Sequence, residues 1–168
     1  MHPPNPSRSF GNCVPLWPHH PLGVDRRDAW RLYGRAVRPE VVRPDGLAEA
    51  PYEYAAVAPQ ARLVFTAGAS PIDAKGQVVA RGDFEAQARK ALENLFVTLA
   101  AAGSGPELVL KTTVYVAASE RTDLVRVWKL VAEAFGAAKP PSTLLGVSVL
   151  GYPEQLVEIE AVALSARG

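Results

Sequence analysis

The sequence predicts an α+β domain in which two helices cover one face of a sheet. Segments rich in β-branched and aromatic residues flank two segments whose apolar residues recur every three or four positions, the spacing of a helix face. Clusters of turn-forming residues separate these segments. Their order along the chain is ββαβαββ, which is typical of α+β domains with the helices on one side.

The length and composition fit one folded domain with an N-terminal extension. The chain has 168 residues, 48% of them hydrophobic, which is enough apolar material for one core. Residues 1–40 are rich in Pro and Arg, and their aromatic residues follow no regular period. We therefore expect a poorly ordered extension over residues 1–40 and a folded domain over residues 41–168.

Two strands are predicted at the start of the domain. Residues 54–58 (YAAVA) and 62–68 (RLVFTAG) have the composition of strands, and only a short segment separates them. Such a connection favours a hairpin, so the two strands are expected to be antiparallel neighbours.

The two helices are predicted from their caps and their apolar stripes. Asp83 is placed to cap the first helix, whose apolar residues recur until Gly103. Thr122 is placed to cap the second helix, which ends at Gly136. Between the helices, residues 108–118 (LVLKTTVYVAA) have the β-branched composition of a central strand.

The last two strands are predicted at residues 143–150 and 156–164, and the second of them carries two carboxylates. Side chains alternate across a strand, so Glu158 and Glu160 share one face. Burying an ionised carboxylate is unfavourable unless it meets a cation or hydrogen-bond donors, or lies in a cleft. Lys111, on the central strand, is a candidate ion-pair partner for Glu160.

Charge and residue counts exclude several kinds of function. Eighteen Lys and Arg against 17 Asp and Glu give a net charge of +1, so no strong field attracts a nucleic acid or a membrane. The one cysteine, Cys13, allows neither an intrachain disulfide nor a cysteine-based zinc site. The histidines, His2, His19 and His20, all precede the domain. Because no apolar run reaches the roughly 18 residues of a membrane helix, we expect a soluble cytoplasmic protein.

Six segments carry a resemblance to a known family. They are PYEYAAV, FTAGASP, LENLFVTLAAAG, KTTVYV, KPPSTLLGV and VEIEAVA, in this order between residues 51 and 163. Together they resemble the RidA/YjgF/UK114 family, whose older label is endoribonuclease L-PSP. The resemblance implies a chorismate-mutase-like subunit with two helices packed on one face of a mixed sheet. It also implies a homotrimer with a small-molecule cleft between adjacent subunits, and no metal or organic cofactor.

The resemblance further implies the residues of that cleft. In deaminases of this family an arginine binds the carboxylate of an imino acid, and a glutamate of the EIEA strand activates the attacking water. Glu158 matches that glutamate, Tyr52 matches the tyrosine of the PY motif, and Gly68 matches the glycine that lines the cleft. Glu160 is then the better candidate for a structural role.

The arginine of the family is replaced in this sequence. Members with deaminase activity carry P-A-R-S/T, whereas residues 139–143 read KPPST, which puts Ser142 at the arginine position with Thr143 after it. A hydroxyl lacks the charge and the two-pronged geometry of a guanidinium. Trp128 stands where many members have an asparagine, and Ala69 replaces a polar residue, so the cleft is expected to be more apolar. Ser142, Thr143 and Trp128 are the expected substrate-binding residues on this side.

Considered without the resemblance, each of these positions also fits a structural role. Glu158 fits a strand carboxylate paired with a backbone donor or with another subunit, and Tyr52 fits a packing residue whose hydroxyl finds one acceptor. Gly68 fits a requirement of backbone geometry, and Ser142 and Thr143 fit polar residues at the start of a strand. The contacts of each residue in the folded chain distinguish these roles.

The resemblance implies one leading function and two alternatives. The leading one is an imine or enamine deaminase, of the 2-iminobutanoate or 2-iminopropanoate type, or a related C–N hydrolase. Glu158 is its expected catalytic residue, and its substrate is expected to differ from the family's because Ser142 replaces the arginine. The alternative is a non-catalytic trimeric module that binds a small molecule or a partner. An endoribonuclease is disfavoured by the near-neutral charge and by the absence of histidine from the predicted domain.

Overall fold

The computed structural model describes residues 38–166, and this part of the chain contains six strands and two helices. Two short 3-10 turns, Pro106–Leu108 and Gly136–Ala138, adjoin them. In chain order the elements are β1 (Glu40–Val42), β2 (Ala55–Val57), β3 (Arg62–Phe65), α1 (Phe84–Ala101), β4 (Val109–Val116), α2 (Arg121–Phe135), β5 (Ser142–Gly146) and β6 (Val157–Ser165).

The main sheet has four strands in the order β3-β6-β4-β5. β4 and β5 are parallel, whereas β6 is antiparallel to both β3 and β4, so the sheet is mixed. Both helices pack on one face of this sheet, and their apolar stripes form the core with the facing strand residues. The predicted α+β class, with two helices on one face of a mixed sheet, is confirmed.

Alternation along β6 follows the sequence pattern. Val157, Ile159 and Ala161 are buried against the helices, whereas Glu158 and Glu160 are half-buried on the opposite, open face of the sheet. The two glutamates therefore share a face, as predicted, and that face carries no helix of the described chain.

The central strand β4 contains an irregularity that the sequence pattern did not predict. Its register on β6 shifts between Val109 and Lys111. Val109 is consequently buried in the core, while Lys111 lies on the open face, although a regular strand would put both side chains on one face.

The first helix has the predicted boundaries and the second begins earlier than predicted. The side chain of Asp83 accepts hydrogen bonds from the backbone N–H groups of Glu85 and Ala86, both at 3.0 Å, which is N-cap geometry. The predicted Thr122 cap is wrong. α2 already begins at Arg121, and its N-cap residue, Glu120, makes no side-chain capping bond. The helix thus begins two residues earlier than a cap at Thr122 implies.

The predicted hairpin between the first two strands is wrong. β2 pairs with β1, which the sequence did not predict, and together they form a separate two-stranded ribbon. β3 instead pairs with β6, where four residue pairs extend the main sheet. The connection between β2 and β3 begins near Pro59, which lacks the N–H that a tight antiparallel ladder uses. A short connection was therefore insufficient evidence for pairing.

The strand β5 is shorter than predicted, and most of the predicted N-terminal extension lies outside the described residues. β5 ends at Gly146, so the rest of the predicted strand over residues 143–150 belongs to the loop before β6. Residues 1–37, most of the predicted extension, lie outside the described residues, and the boundary at residue 41 stays a prediction. Over residues 38–166, no helix is long and apolar enough to cross a membrane.

Candidate functional site

Glu158 lies where the start of β6 meets the segment that follows β3, and two neutral donors hold its carboxylate. The amide nitrogen of Gln155 donates to Glu158 Oε2 at 2.8 Å, and the hydroxyl of Ser70 donates to the same oxygen at 3.1 Å. Gln155 and Ser70 are themselves 3.0 Å apart, with the amide donating to the hydroxyl. The carboxylate is thus supported by hydrogen bonds rather than by an ion pair.

Gly68 is required at its position by the Glu158 side chain. A Cβ atom on Gly68 would lie 2.0 Å from Glu158 Oε1 and 2.5 Å from Glu158 Cδ, well inside van der Waals contact. The neighbouring residue, Ala69, exchanges backbone hydrogen bonds with Ile159 at 2.8 and 3.2 Å, which fixes this close approach. Gly68 and Glu158, which the resemblance placed in one cleft, are therefore in direct contact.

A second group of predicted site residues lies on α2 and on the segment before β2. The ring of Tyr52 meets the ring of Trp128 edge to face, with centroids 6.1 Å apart and an interplanar angle of 78°. A small cleft beside them includes the side chains of Trp128, Phe135, Lys139, Pro140 and Ser142. The residues on this side of the molecule are mainly aromatic and apolar. Lys139 is the charged residue among those that line the small cleft.

An ion pair anchors the segment that carries Tyr52. Arg43 binds both carboxylate oxygens of Glu53, which is 3% exposed, and the backbone N–H of Glu53 donates to the carbonyl of Lys139 at 3.0 Å. The hydrogen bond from Arg43 lowers the pKa of the Glu53 carboxyl, and the same contact raises the pKa of Arg43. Tyr52, directly before Glu53, is consequently held against α2.

The hydroxyl of Ser142 is engaged within the chain. Ser142 Oγ donates to the carbonyl of Pro140 at 2.8 Å and lies 2.6 Å from the hydroxyl of Thr112. A hydroxyl has one hydrogen, and here that hydrogen points to Pro140 rather than to a ligand. Thr143 lies on the opposite, open face of β5, where its hydroxyl accepts a hydrogen bond from Lys111.

Glu160 has a different partner from the one predicted. The hydroxyl of Tyr115 donates to Glu160 Oε1 at 3.0 Å, and Lys111 binds Thr143 instead, so the predicted ion pair between Lys111 and Glu160 is wrong. Tyr115 lies on the open face of β4, the face that Glu160 also occupies on β6. The hydrogen bond to Glu160, together with desolvation, raises the pKa of Tyr115, whereas partial burial lowers the pKa of Lys111.

One chain does not bring the two groups of site residues together. Ser142 pairs with Thr112 across β5 and β4, and both hydroxyls lie on the helix-covered face. Glu158 pairs with Tyr115 across β6 and β4, on the open face. We call the residues around Glu158 (Gly68, Ser70, Gln155) the acid half-site, and the residues around Ser142 (Tyr52, Trp128, Lys139) the aromatic half-site. The two half-sites therefore face different sides of the main sheet within one chain.

Two acid-half-site residues, Ser70 and Gln155, were not predicted from the sequence. They lie in loops, outside any apolar period, and 85 positions separate them. A buried polar residue in a turn next to a predicted site strand is the one signal that could have indicated Gln155.

Within residues 38–166, no group of three His, Cys, Asp or Glu side chains is arranged to hold a metal ion.

A larger cleft lies away from both half-sites. Its volume is about 570 Å³, and it opens between β1, the turn before β4 and the turn after α2. Its walls are mostly apolar, with Val41, Pro106 and Phe135 among them. None of the six predicted site residues lines this cleft, so its size does not make it the better candidate.

Sequence comparison finds relatives over the described domain. Residues 43–165 match the family model described as Endoribonuclease L-PSP. A RutC family protein of Pyrococcus horikoshii is 39% identical over 101 residues, which cover 60% of this chain and 78% of that protein. The RutC family protein UK114 of Drosophila melanogaster is 35% identical over 116 residues, which cover 69% of this chain and 80% of that protein.

Structure comparison finds the same kind of relatives. The Rid family protein YyfB of Yersinia pestis superposes with a TM-score of 0.70 at 29% identity, covering 76% of this chain and 98% of that one. TdcF of E. coli, solved with bound serine, superposes with a TM-score of 0.54 at 26% identity, covering 74% of this chain and 98% of that one. The matched proteins are covered almost completely, so the similarity extends over whole subunits.

Proposed function

The chain belongs to the endoribonuclease L-PSP family, also called RidA/YjgF/UK114, and from this premise we propose that it is a homotrimeric, cytoplasmic hydrolase of imines, enamines or a related C–N bond. The observation that carries the proposal is the acid half-site. There, two neutral donors hold one oxygen of Glu158, and no hydrogen bond from the described residues reaches the other oxygen. A carboxylate arranged in this way can accept a proton from water.

The separation of the half-sites supports a cleft between subunits. Glu158 and Ser142 lie on opposite faces of one sheet, so a cleft containing both types of group needs residues from two chains. The open face also presents large apolar side chains, among them Phe65, which is 71% exposed, and Leu63 and Leu145. An exposed apolar face of this kind fits contact with another subunit.

The proposed reaction uses Glu158 to carry the two protons of one water molecule to nitrogen, one after the other. Glu158 takes the first proton as the water oxygen bonds to the carbon of the C=N group and returns it to nitrogen, which gives a carbinolamine. Glu158 then takes the proton of the carbinolamine hydroxyl and passes it to nitrogen as the C–N bond breaks, so ammonia leaves and the carbon becomes a carbonyl. The substrate carbon is already electrophilic, so positioning and proton transfer supply the catalysis.

The aromatic half-site supports a substrate that differs from those of the arginine-containing members. Ser142 replaces the carboxylate-binding arginine and its hydrogen is engaged by Pro140, while Tyr52 and Trp128 present ring surface. We assign the missing positive charge to Lys139, whose side chain lines the same cleft as Ser142. TdcF binds serine, which supports a small amino-acid-derived molecule as ligand. Lys139 offers a charge without the fork of arginine, and the rings of Tyr52 and Trp128 offer apolar contact, so partly apolar imino acids are the expected class.

A coupled assay tests the proposal. An amino-acid oxidase generates imines from a panel that includes aromatic and aliphatic amino acids, and formation of the keto acid is followed with and without the protein. We expect acceleration that is greatest for the apolar and aromatic imines, and loss of that acceleration in Glu158→Gln. Rates equal to buffer for every imine would contradict the hydrolase.

The engaged hydroxyl of Ser142 favours one alternative, a non-catalytic trimeric module that binds a small molecule. Thermal unfolding in the presence of keto acids and amides tests it, because a ligand that binds only the folded state raises the melting temperature. Stabilisation without turnover would support this alternative, and absence of both would exclude it for that panel. The ribonuclease named in the family label is disfavoured, since a net charge of +1 gives no strong overall attraction for RNA.

A further inference from the structure

We propose that Ser70 and Gln155 are positioning residues that fix Glu158 Oε2 and thereby direct Glu158 Oε1 toward the substrate. The inference rests on the proposed function, because it takes Glu158 as the group that accepts the proton. Neither Ser70 nor Gln155 touches the reacting atoms in this proposal. Both act through the orientation of one carboxylate.

Both donors converge on the same oxygen. Gln155 Nε2 lies 2.8 Å from Glu158 Oε2 and Ser70 Oγ lies 3.1 Å from it, and the two donors are joined to each other at 3.0 Å. Gln155 is 3% exposed and Ser70 is 7% exposed, so water competes little for these bonds. Oε1 lies over Gly68, and no hydrogen bond from the described residues reaches it.

A carboxylate without such donors turns readily about its last bond, because that torsion is broad and two-fold. Two donors on one oxygen remove this freedom and leave the other oxygen with a defined direction. A cationic donor would orient the group as well, but it would stabilise the ionised carboxylate more strongly than neutral donors do and so make it a weaker base. Neutral donors therefore suit a group that has to take a proton.

The two donors are themselves held by the rest of the fold. The side-chain oxygen of Gln155 accepts a hydrogen bond from the backbone of Tyr152 at 3.0 Å. Asn94, on α1, donates to the carbonyl of Ser70 at 2.8 Å. Gln87, also on α1, bonds to the backbone on both sides of Gln155 at 2.9 and 2.7 Å. The first helix thus fixes both loops that orient Glu158.

Steady-state kinetics of three variants test the proposal. Gln155→Met removes one donor at nearly constant length, and Ser70→Ala removes the other. Ser165→Ala is the matched control, because Ser165 is also a buried serine, 8% exposed, whose hydroxyl donates to the carbonyl of Ala102 at 2.9 Å. We expect kcat to fall roughly 10- to 100-fold in Gln155→Met and Ser70→Ala with KM nearly unchanged, as for a misplaced catalytic group. Ser165→Ala should stay near the wild-type kcat.

The outcomes separate this inference from the proposed function. The positioning role is overturned if kcat in Gln155→Met and in Ser70→Ala is no lower than kcat in Ser165→Ala. If the wild type has no turnover, or Glu158→Gln keeps it, the proposed function fails instead. In that case the crystal structure of Gln155→Met tests the positioning role by itself. A displaced or rotated Glu158 carboxylate supports the positioning role, and an unmoved carboxylate overturns it.

Discussion

The acid half-site and the aromatic half-site use their polar groups in opposite ways. Around Glu158, neighbouring donors converge on one oxygen and leave the other as an acceptor. Around Ser142, the hydroxyl that occupies the arginine position is engaged by Thr112 and Pro140, and aromatic rings provide the remaining surface. In the proposed hydrolase, Glu158 would supply the oriented proton acceptor, whereas the arginine position offers no free cation. Reactivity and substrate recognition would then be carried by separate parts of the fold, so that each could be altered alone.

The largest expected effect comes from crowding the acid half-site. In Gly68→Ala, the new methyl group would meet Glu158 Oε1 at 2.0 Å, so the carboxylate has to move. We expect turnover to fall roughly 100-fold, the scale associated with about 1 Å of misplacement. Gly151→Ala is the control, since nothing lies within 4 Å of a Cβ there. Equal turnover in the two variants would show that the position of Glu158 is unimportant.

A smaller effect is expected from restoring charge in the aromatic half-site. Ser142→Arg introduces the fork that binds carboxylates, and we expect KM for carboxylate-bearing imines to fall roughly tenfold. Ser142→Met has similar bulk without charge and also loses the contacts with Thr112 and Pro140, so it isolates the contribution of the guanidinium. If both variants raise KM equally, the arginine position does not contact the substrate carboxylate in this protein.

A smaller effect again is expected on stability, from loss of the hydrogen bond between Tyr115 and Glu160. Tyr115→Phe removes the hydrogen bond to Glu160 and should lower the free energy of unfolding by about 1 kcal/mol at neutral pH. Because the pKa of Tyr115 is raised in the folded state, its contribution is present below the ordinary tyrosine pKa of about 10 and is lost as the pH rises through the folded value. Denaturant titrations at pH 7 and above pH 10 should therefore show the difference between variant and wild type shrinking. A constant difference would count against this hydrogen bond.

The smallest effect concerns the ion pair that anchors the aromatic half-site. The pKa of Glu53 is lowered by Arg43, so its contribution to stability is present above the ordinary glutamate pKa of about 4.3 and is lost as the pH falls through the folded value. Glu53→Gln should lower the denaturation midpoint slightly at pH 7 and converge with the wild type in acid. The effect stays small because Arg43 is largely exposed to solvent. Divergence in acid would contradict the assignment.

Two features that depend on spacing between neighbouring residues were predicted correctly from the sequence. The Asp83 cap and the alternation along β6 follow from spacing within one element, and both are confirmed. The pairing of β2 with β1 and of β3 with β6 depends on contacts between distant segments. Local spacing contains no information about such contacts, which explains the wrong hairpin.

The same distinction applies to the candidate site. The family motif singles out Glu158 and Gly68, and the structure places them in contact. Ser70 and Gln155 belong to no motif, and they meet only because the segment after β3 and the turn before β6 come together in the fold. Lys111 was matched with Glu160 by charge, whereas the geometry of neighbouring strands brings Tyr115 there instead. Complementary charge did not predict which side chains are adjacent.

The placement of Glu158 and Ser142 on opposite faces of one sheet has a genetic consequence. In the proposed trimer, a chain with a defective acid half-site still offers an intact aromatic half-site to its neighbour, and the reverse holds for the other defect. Two alleles that are each inactive alone would then complement one another when co-expressed. Mixed assemblies would contain some clefts in which an intact acid half-site meets an intact aromatic half-site.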